Sequence, residues 1–202
     1  MAENSDTEQK ILASAEEVFH EKGYDGARMQ EIAEHAGINK GLLHYYFKTK
    51  DKLFEAIFST ALQHMISKIF AIMDMEASLE EKIHLIVDQY MAMIMKNPTL
   101  PRFVLNELNK NADQFIEKHF RRDAQQIFAS FERSVSQEVN AGRIRDINAR
   151  HLFMNIMSLM VFPFIGRPLL QVAMATSNAA FAQMMTERRA HIREFVINAI
   201  KK

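Results

Sequence analysis

The chain has 202 residues, 48% apolar and 25% charged, with 25 basic side chains balancing 25 acidic ones. That length accommodates one large or two small domains and a substantial core. Zero cysteine excludes disulfides and thiol chemistry and fits a reducing cytoplasm, and the polar, acidic start "MAENSDTEQK" is the opposite of a signal peptide.

Glycine (six) and proline (four) are scarce, and no alternating β-branched run is bounded by hairpin turns. The fold is therefore all-α. Thr7 is placed to N-cap a first helix whose stripe is Ile11, Leu12, Ala15, Val18 and Phe19, and Gly23 stops it. A short helix over about 29–36 carries Ile32, Ala33 and Ala36. Gly37 breaks it, and a second short helix covers about 39–46. Thr49 caps a longer helix starting at Lys50, with Asp51 in the first turn, where the helix dipole favours an acid. Longer, more apolar helices follow. One spans about 79–96 and ends at Asn97-Pro98. A short one lies near 103–109, and a long one runs from about 113 to 140 through Phe120, stopped by Gly142. Two more cover about 148–165 and 188–201, and the stretch 166–185 is hard to assign. The apolar run from Phe153 to Gly166 is shorter than the ~20 residues a membrane span needs and contains Asn155, Ser158 and Pro163, so it reads as a buried helix. The composition shift near 47–53 divides the chain into residues 1–52 and 53–202, bridged by the helix that starts at Lys50.

The two short helices fit a helix-turn-helix. Two helices crossing at a steep angle need small residues at the crossing, glycine in the turn and apolar side chains on the inner faces only. Ile32 and Ala33, then Gly37 and Ile38, then Leu43 and Tyr46 meet that requirement.

The segment "GYDGARMQEIAEHAGINKGLLHYYFKTKDKLFEAI" (23–57) resembles the DNA-binding domain of the tetracycline-repressor-like (TetR) family. The residues that carry the resemblance are Gly23-Tyr24, Ile32-Ala33, Ala36-Gly37, Lys40-Gly41, Tyr45-Tyr46-Phe47, and Lys50 with Leu53. The rest of the chain matches the family only in length and helicity. The resemblance implies an N-terminal three-helix helix-turn-helix DNA-binding domain and a larger C-terminal helical ligand-binding and dimerisation domain. It also implies a homodimeric one-component transcriptional regulator, most often a repressor. Such a protein binds a palindromic double-stranded operator, pairs through its last two helices, and leaves DNA when a small effector reorients the recognition helices.

The local charge agrees with a DNA-facing surface. Residues 37–53 hold Lys40, Lys48, Lys50 and Lys52 against Asp51, while residues 1–52 as a whole are net acidic. One small basic face is what a phosphate backbone requires. In the recognition helix, Asn39, Lys40, Gly41 and Leu42 form the turn that enters the major groove. Asn suits adenine, Lys guanine, and an apolar group a thymine methyl. Gly41 is unfavourable in a helix by ~1 kcal/mol, which close approach to DNA explains. Tyr45 offers a hydroxyl, and Tyr46 joins the set mostly through packing. Thr49 and Lys50 open the next helix towards phosphate, whose N-terminal N–H groups attract anions. Leu43 and Phe47 read as core. Two positions depart from the family pattern. Ala27-Arg28 stand where a capping threonine or serine is usual, so the cap is lost and Arg28 becomes a phosphate contact instead. His44 replaces a tyrosine and makes contacts that protonation strengthens.

Fourteen methionines and fifteen phenylalanines suit an adaptable apolar pocket as well as ordinary core filling. The lining candidates for a hydrophobic effector are Met91, Met95, Phe103, Phe128, Met154 and Met157, with His119 and Asn155 as polar anchors. The run Leu152, Phe153, Ile156, Met157, Met160 and Phe164 is apolar over more than one face, which calls for cover by a dimer partner.

Enzyme signatures are missing. There is no G-x-S-x-G, P-loop, G-x-G-x-x-G or H-E-x-x-H, and no two histidines fall one helical turn apart, so neither cofactor nor metal is implied. The competing reading is a helical protein-interaction module without DNA binding.

Overall fold

The computed structural model describes residues 2–202, with side chains described except at 2–5 and 121–123. The described residues form ten helices: α1 (Ala2–Gly26), α2 (Met29–His35), α3 (Lys40–Tyr46), α4 (Lys50–Asp74), α5 (Leu79–Lys96), α6 (Leu100–His119), α7 (Arg121–Asn140), α8 (Ala149–Ile165), α9 (Arg167–Ala173) and α10 (Asn178–Ile200). They contain no strand; Ile144 and Lys201 form an isolated antiparallel bridge. Two compact units result, Met1–His64 and Met65–Lys202, divided within α4. The compositional division at 52/53 falls in the same helix.

In the first unit Ile11 and Ala15 of α1, Ile32 and Ala33 of α2, and Leu43 of α3 are fully buried, together with Leu53 of α4. Phe19, Tyr24 and Phe54 pack ring against ring, at centroid distances of 5.0–5.9 Å. Thr7 does not cap α1, which begins at Ala2. Asp6 sits in its opening turns, where the dipole favours acids, and the helix starts earlier than the apolar stripe. Gly23 (φ 70°, ψ 171°) interrupts the regular helix, and one further turn reaches Gly26. At Gly37 (φ 65°) the chain takes the left-handed conformation glycine tolerates best. Its N–H bonds to Glu34 O and that of Ile38 to Ala33 O, both at 3.0 Å, a Schellman close to α2.

In the second unit, Ser78 and Glu81 form a capping box at the start of α5. The buried Lys82 donates to Met73 O (2.9 Å) in the last turn of α4. By length and composition α4 could cross a membrane, but Leu53, Phe58, Leu62, Ile66 and Ile69 are buried, as in the core helix of a globular protein.

Two boundaries differ from the sequence reading. The short helix at 103–109 and the long one from 113 to 140 are instead α6 and α7, which meet at Phe120 (φ −131°, ψ −27°). Phe120 is a hinge, not a mid-helix residue. Its ring lies 5.8 Å from that of Phe115, which also meets His119 at 4.9 Å, a local ring cluster at the end of α6. Inside α6 the chain departs from helical geometry at Asn111, whose side chain accepts from Gln114 N–H and restarts the helix. The unassigned stretch 166–185 contains α9 and the first turns of α10, which Ser177 caps. The axis turns by 79° between α8 and α9. A Cβ at Gly166 would lie 3.1 Å from the Phe162 ring, so glycine fits this bend best.

The inner face of α8, Leu152, Ile156, Met160, Pro163 and Phe164, is buried, and α8 packs against α5, α6, α7, α9 and α10.

Candidate nucleic-acid interface

Helix α3 is amphipathic in a functional sense. Leu43 is fully buried and Phe47 nearly so, which fixes the inner side. Lys40, Gly41, Leu42, His44 and Tyr45 are exposed on the remaining surface, Tyr45 to 74%. Tyr46 is half-buried and meets the Tyr45 ring edge-on at 5.5 Å, which holds Tyr45 outward. Asn39 is the N-cap: its Oδ1 accepts the Leu42 N–H at 2.8 Å. That oxygen is committed, so only the side-chain NH₂ remains to donate outward. A Cβ at Gly41 would lie 3.2 Å from the same oxygen, an internal reason for glycine that the sequence did not reveal.

His44 Nδ1 lies 3.2 Å from Lys48 O. A carbonyl only accepts, so the proton sits on Nδ1, leaving Nε2 as an acceptor when the ring is neutral and a donor when it is charged. Arg28 occupies the N-cap position of α2 without a side-chain cap, as the missing threonine or serine led us to expect. Half a capping box survives, because the Glu31 carboxylate accepts the Arg28 backbone N–H. The Lys22 ammonium at 3.1 Å, with that bond, holds the Glu31 carboxyl below its usual range. The Arg28 side chain is exposed, as are Lys48 and Thr49. Thr49 Oγ1 accepts the Lys52 N–H at 3.2 Å, capping α4.

Lys50 is redirected. Its ammonium donates to Tyr24 O (2.7 Å) and Ala27 O (3.1 Å) and lies 4.5 Å from the centre of the Tyr24 ring. The Tyr24 hydroxyl donates in turn to Asp51. The side chain expected to face phosphate instead ties the turn after α1 to the start of α4, because a half-buried ammonium takes the carbonyls within reach. Any phosphate contact here falls to the backbone N–H groups.

The effector candidates fall on α5 to α8. Met91 is fully buried, while Met95, Phe103, His119, Phe128 and Met157 are half-buried. Phe128 packs edge-on against Phe153 at 5.5 Å. Met154 (52% exposed) and Asn155 lie outside the group. They are exposed and offset around α8 from the buried face. Sequence reasoning missed Arg188, Arg189 and Arg193 of α10. Their recurrence within two turns beside the buried stripe of α10 was the available signal.

Residues 11–57 match the family model of bacterial regulatory proteins of the tetR family, and residues 80–196 match that of the tetracyclin repressor-like C-terminal domain. The HTH-type transcriptional regulator YhgD of Bacillus subtilis is 33% identical over 79 residues, 39% of this chain and 41% of that protein. The fatty acid metabolism regulator protein of the same species is 24% identical over 102 residues, 50% of this chain and 53% of its own length. The chain thus spans about half the length of these relatives. A putative transcriptional regulator from Saccharomonospora viridis, solved in complex with choline, shares the fold with TM-score 0.74 at 17% identity, over 98% of this chain and 99% of that one.

Proposed function

From the premise that this chain belongs to the TetR family of bacterial transcriptional regulators, non-enzymatic DNA-binding proteins that are generally repressors with ligand-binding C-terminal domains, we propose an effector-controlled repressor acting on a palindromic operator as a homodimer in the cytoplasm. The observation that carries this reading is α3: a helix pinned by Leu43 and the Asn39 cap, with Lys40, Gly41, Leu42, His44 and Tyr45 exposed. Lys40 and the Asn39 NH₂ address base edges, Leu42 a thymine methyl, and Tyr45 and His44 bases or phosphate. Arg28, Lys48 and Thr49 take phosphate on either side. Gly41 allows the backbone close to the groove.

The homodimer reading is supported by apolar surface that the chain itself does not cover: Met154 and Phe162 (53% exposed) on α8 and Phe195 (63%) on α10. A small, apolar effector among Met91, Met95, Phe103, Phe128 and Met157 fits both the methionine-rich surroundings and a relative named as a fatty acid metabolism regulator. A protein-interaction module without DNA binding has no comparable support, since it leaves the exposed basic helix without a role.

Titration of the full chain against its own upstream DNA at two salt concentrations tests the reading. Binding should weaken steeply with salt as counterions return to the phosphates. Absent or salt-insensitive binding at low micromolar protein would refute it.

A further inference from the structure

Three arginines on α10 reach towards neighbouring helices, and two have their acceptors. Arg193 Nη1 donates to Asp88 Oδ2 of α5 at 2.9 Å. Arg188 Nε donates to Leu159 O of α8 at 3.1 Å. That carbonyl would ordinarily accept the N–H of residue 163, and Pro163 has none, so Arg188 fills a gap the proline leaves. Arg189 has no such explanation. Its Nε is buried and meets no hydrogen-bond acceptor among the described residues. Its Nη2 reaches the Met95 sulfur of α5 at 3.7 Å, a weak acceptor.

Nε and Nη2 together form one edge of the guanidinium, the edge that receives a planar carboxylate in two parallel bonds. A buried donor without an acceptor is unfavourable until one arrives. On the facing helix Asp88 is held by Arg193, Glu81 by Ser78 and Glu80 by Lys201, and no carboxylate among the described residues reaches this Nε. The atom in the way is a thioether on three rotatable bonds, readily displaced. Beside it on α5 lie Met91 and Ile94, buried and apolar.

We infer that Arg189 is the anion anchor of the effector site, binding the carboxylate of a small molecule whose apolar body takes the place of Met95 at the α5–α10 seam. This rests on reading the second unit as the effector-binding domain. It also narrows the ligand class. A neutral or cationic apolar molecule leaves the Arg189 edge empty, whereas an apolar acid fills it.

The test uses decanoate and phenylbutyrate, each with its methyl ester, and decyltrimethylammonium, followed by thermal shift and calorimetry on the full chain. At least one acid should raise the melting temperature and bind more tightly than its ester by about ten- to hundred-fold, the range of a charge-assisted bond. Arg189→Gln should lose that preference, and Arg189→Lys should keep part of it, having the charge without the fork. The wild-type acid-ester comparison stands even if a variant fails to fold. Esters binding as well as acids, no binding by either acid, or unaltered acid binding by folded Arg189→Gln would each overturn the anchor. Operator titration with the bound acid separates the two readings. Acid binding through Arg189 with unchanged operator affinity keeps the anchor and refutes induction by that route. Operator binding without any acid preference refutes the anchor and leaves the DNA-binding regulator standing.

Discussion

Arg188 and Pro163 should be energetically coupled although they lie on different helices. Pro163 removes the N–H that would bond Leu159 O, and Arg188 supplies the substitute at 3.1 Å. Burial lowers the Arg188 guanidinium from its usual range without neutralising it, so the bond is charge-assisted. Arg188→Met keeps much of the stem's packing and deletes the donor. A carbonyl left unpaired in a partly buried place costs about 1–2 kcal/mol, or about 2–8 °C in melting temperature for a chain of this size. Pro163→Ala returns an N–H one turn after Leu159, so the carbonyl no longer depends on Arg188. The sign of Pro163→Ala alone is indeterminate, because it relieves the helix but deletes buried ring atoms. The informative quantity is the coupling in a double-mutant cycle, measured by urea unfolding of all four proteins. Arg188→Met should cost about 1 kcal/mol less in the Pro163→Ala background. Additivity within about 0.5 kcal/mol would show that the arginine is not compensating for the proline.

Lys40→Ala and Tyr45→Phe should weaken operator binding by about ten-fold each, the scale of one lost base or phosphate contact, with the dimer intact; wild-type binding by both in fluorescence anisotropy would displace the recognition helix from α3. Gly41→Ala should change stability little, because about 1 kcal/mol of helix propensity offsets pressure on the Asn39 cap at 3.2 Å, yet it should reduce operator affinity, and undiminished affinity would mean the backbone does not approach the groove there. Phe162→Glu, on the exposed face of α8, should give a folded monomer in sedimentation, whereas a dimer of unchanged affinity would move the interface elsewhere. Arg143 (2.7 Å) holds the Glu138 carboxyl below its usual range, so the pair stabilises above the unfolded carboxylate pKa of about 4.3 and fades as pH falls through the lower folded value; wild type and Glu138→Gln should differ at neutral pH and converge in acid, and a constant difference would discount the pair.

Helices whose limits are written locally were legible before the fold was seen. Gly37, Thr49 and the Asn97-Pro98 pair each stop or cap a helix through their own backbone or side chain. The break at Phe120 has no such mark. No glycine or proline stands there and the apolar spacing runs through it; the break coincides with a cluster of Phe120 and His119 around Phe115, which spacing alone does not announce. Thr7 misled for the opposite reason. It is a good cap residue, but the polar turns before it are themselves helical, and an apolar stripe records burial and not where a helix begins.

The candidate site divides along the same line. Which residues of α3 face inward follows from a 3.6-residue period and one buried leucine, so exposure at Lys40, His44 and Tyr45 was readable. What a long side chain does with its charge depends on partners elsewhere in the fold. Lys50 is spent on carbonyls 26 and 23 positions earlier, and Arg188 on one 29 positions earlier. Arg189 shows the converse. Its Nη2 donates to the Met95 sulfur, 94 positions away, and its buried Nε has no acceptor among the described residues. A buried N–H without an acceptor is destabilising on its own account. Its retention is physically reasonable if something outside the chain completes it, so the strongest pointer to the effector's chemistry is a residue that composition and periodicity rank as ordinary surface charge.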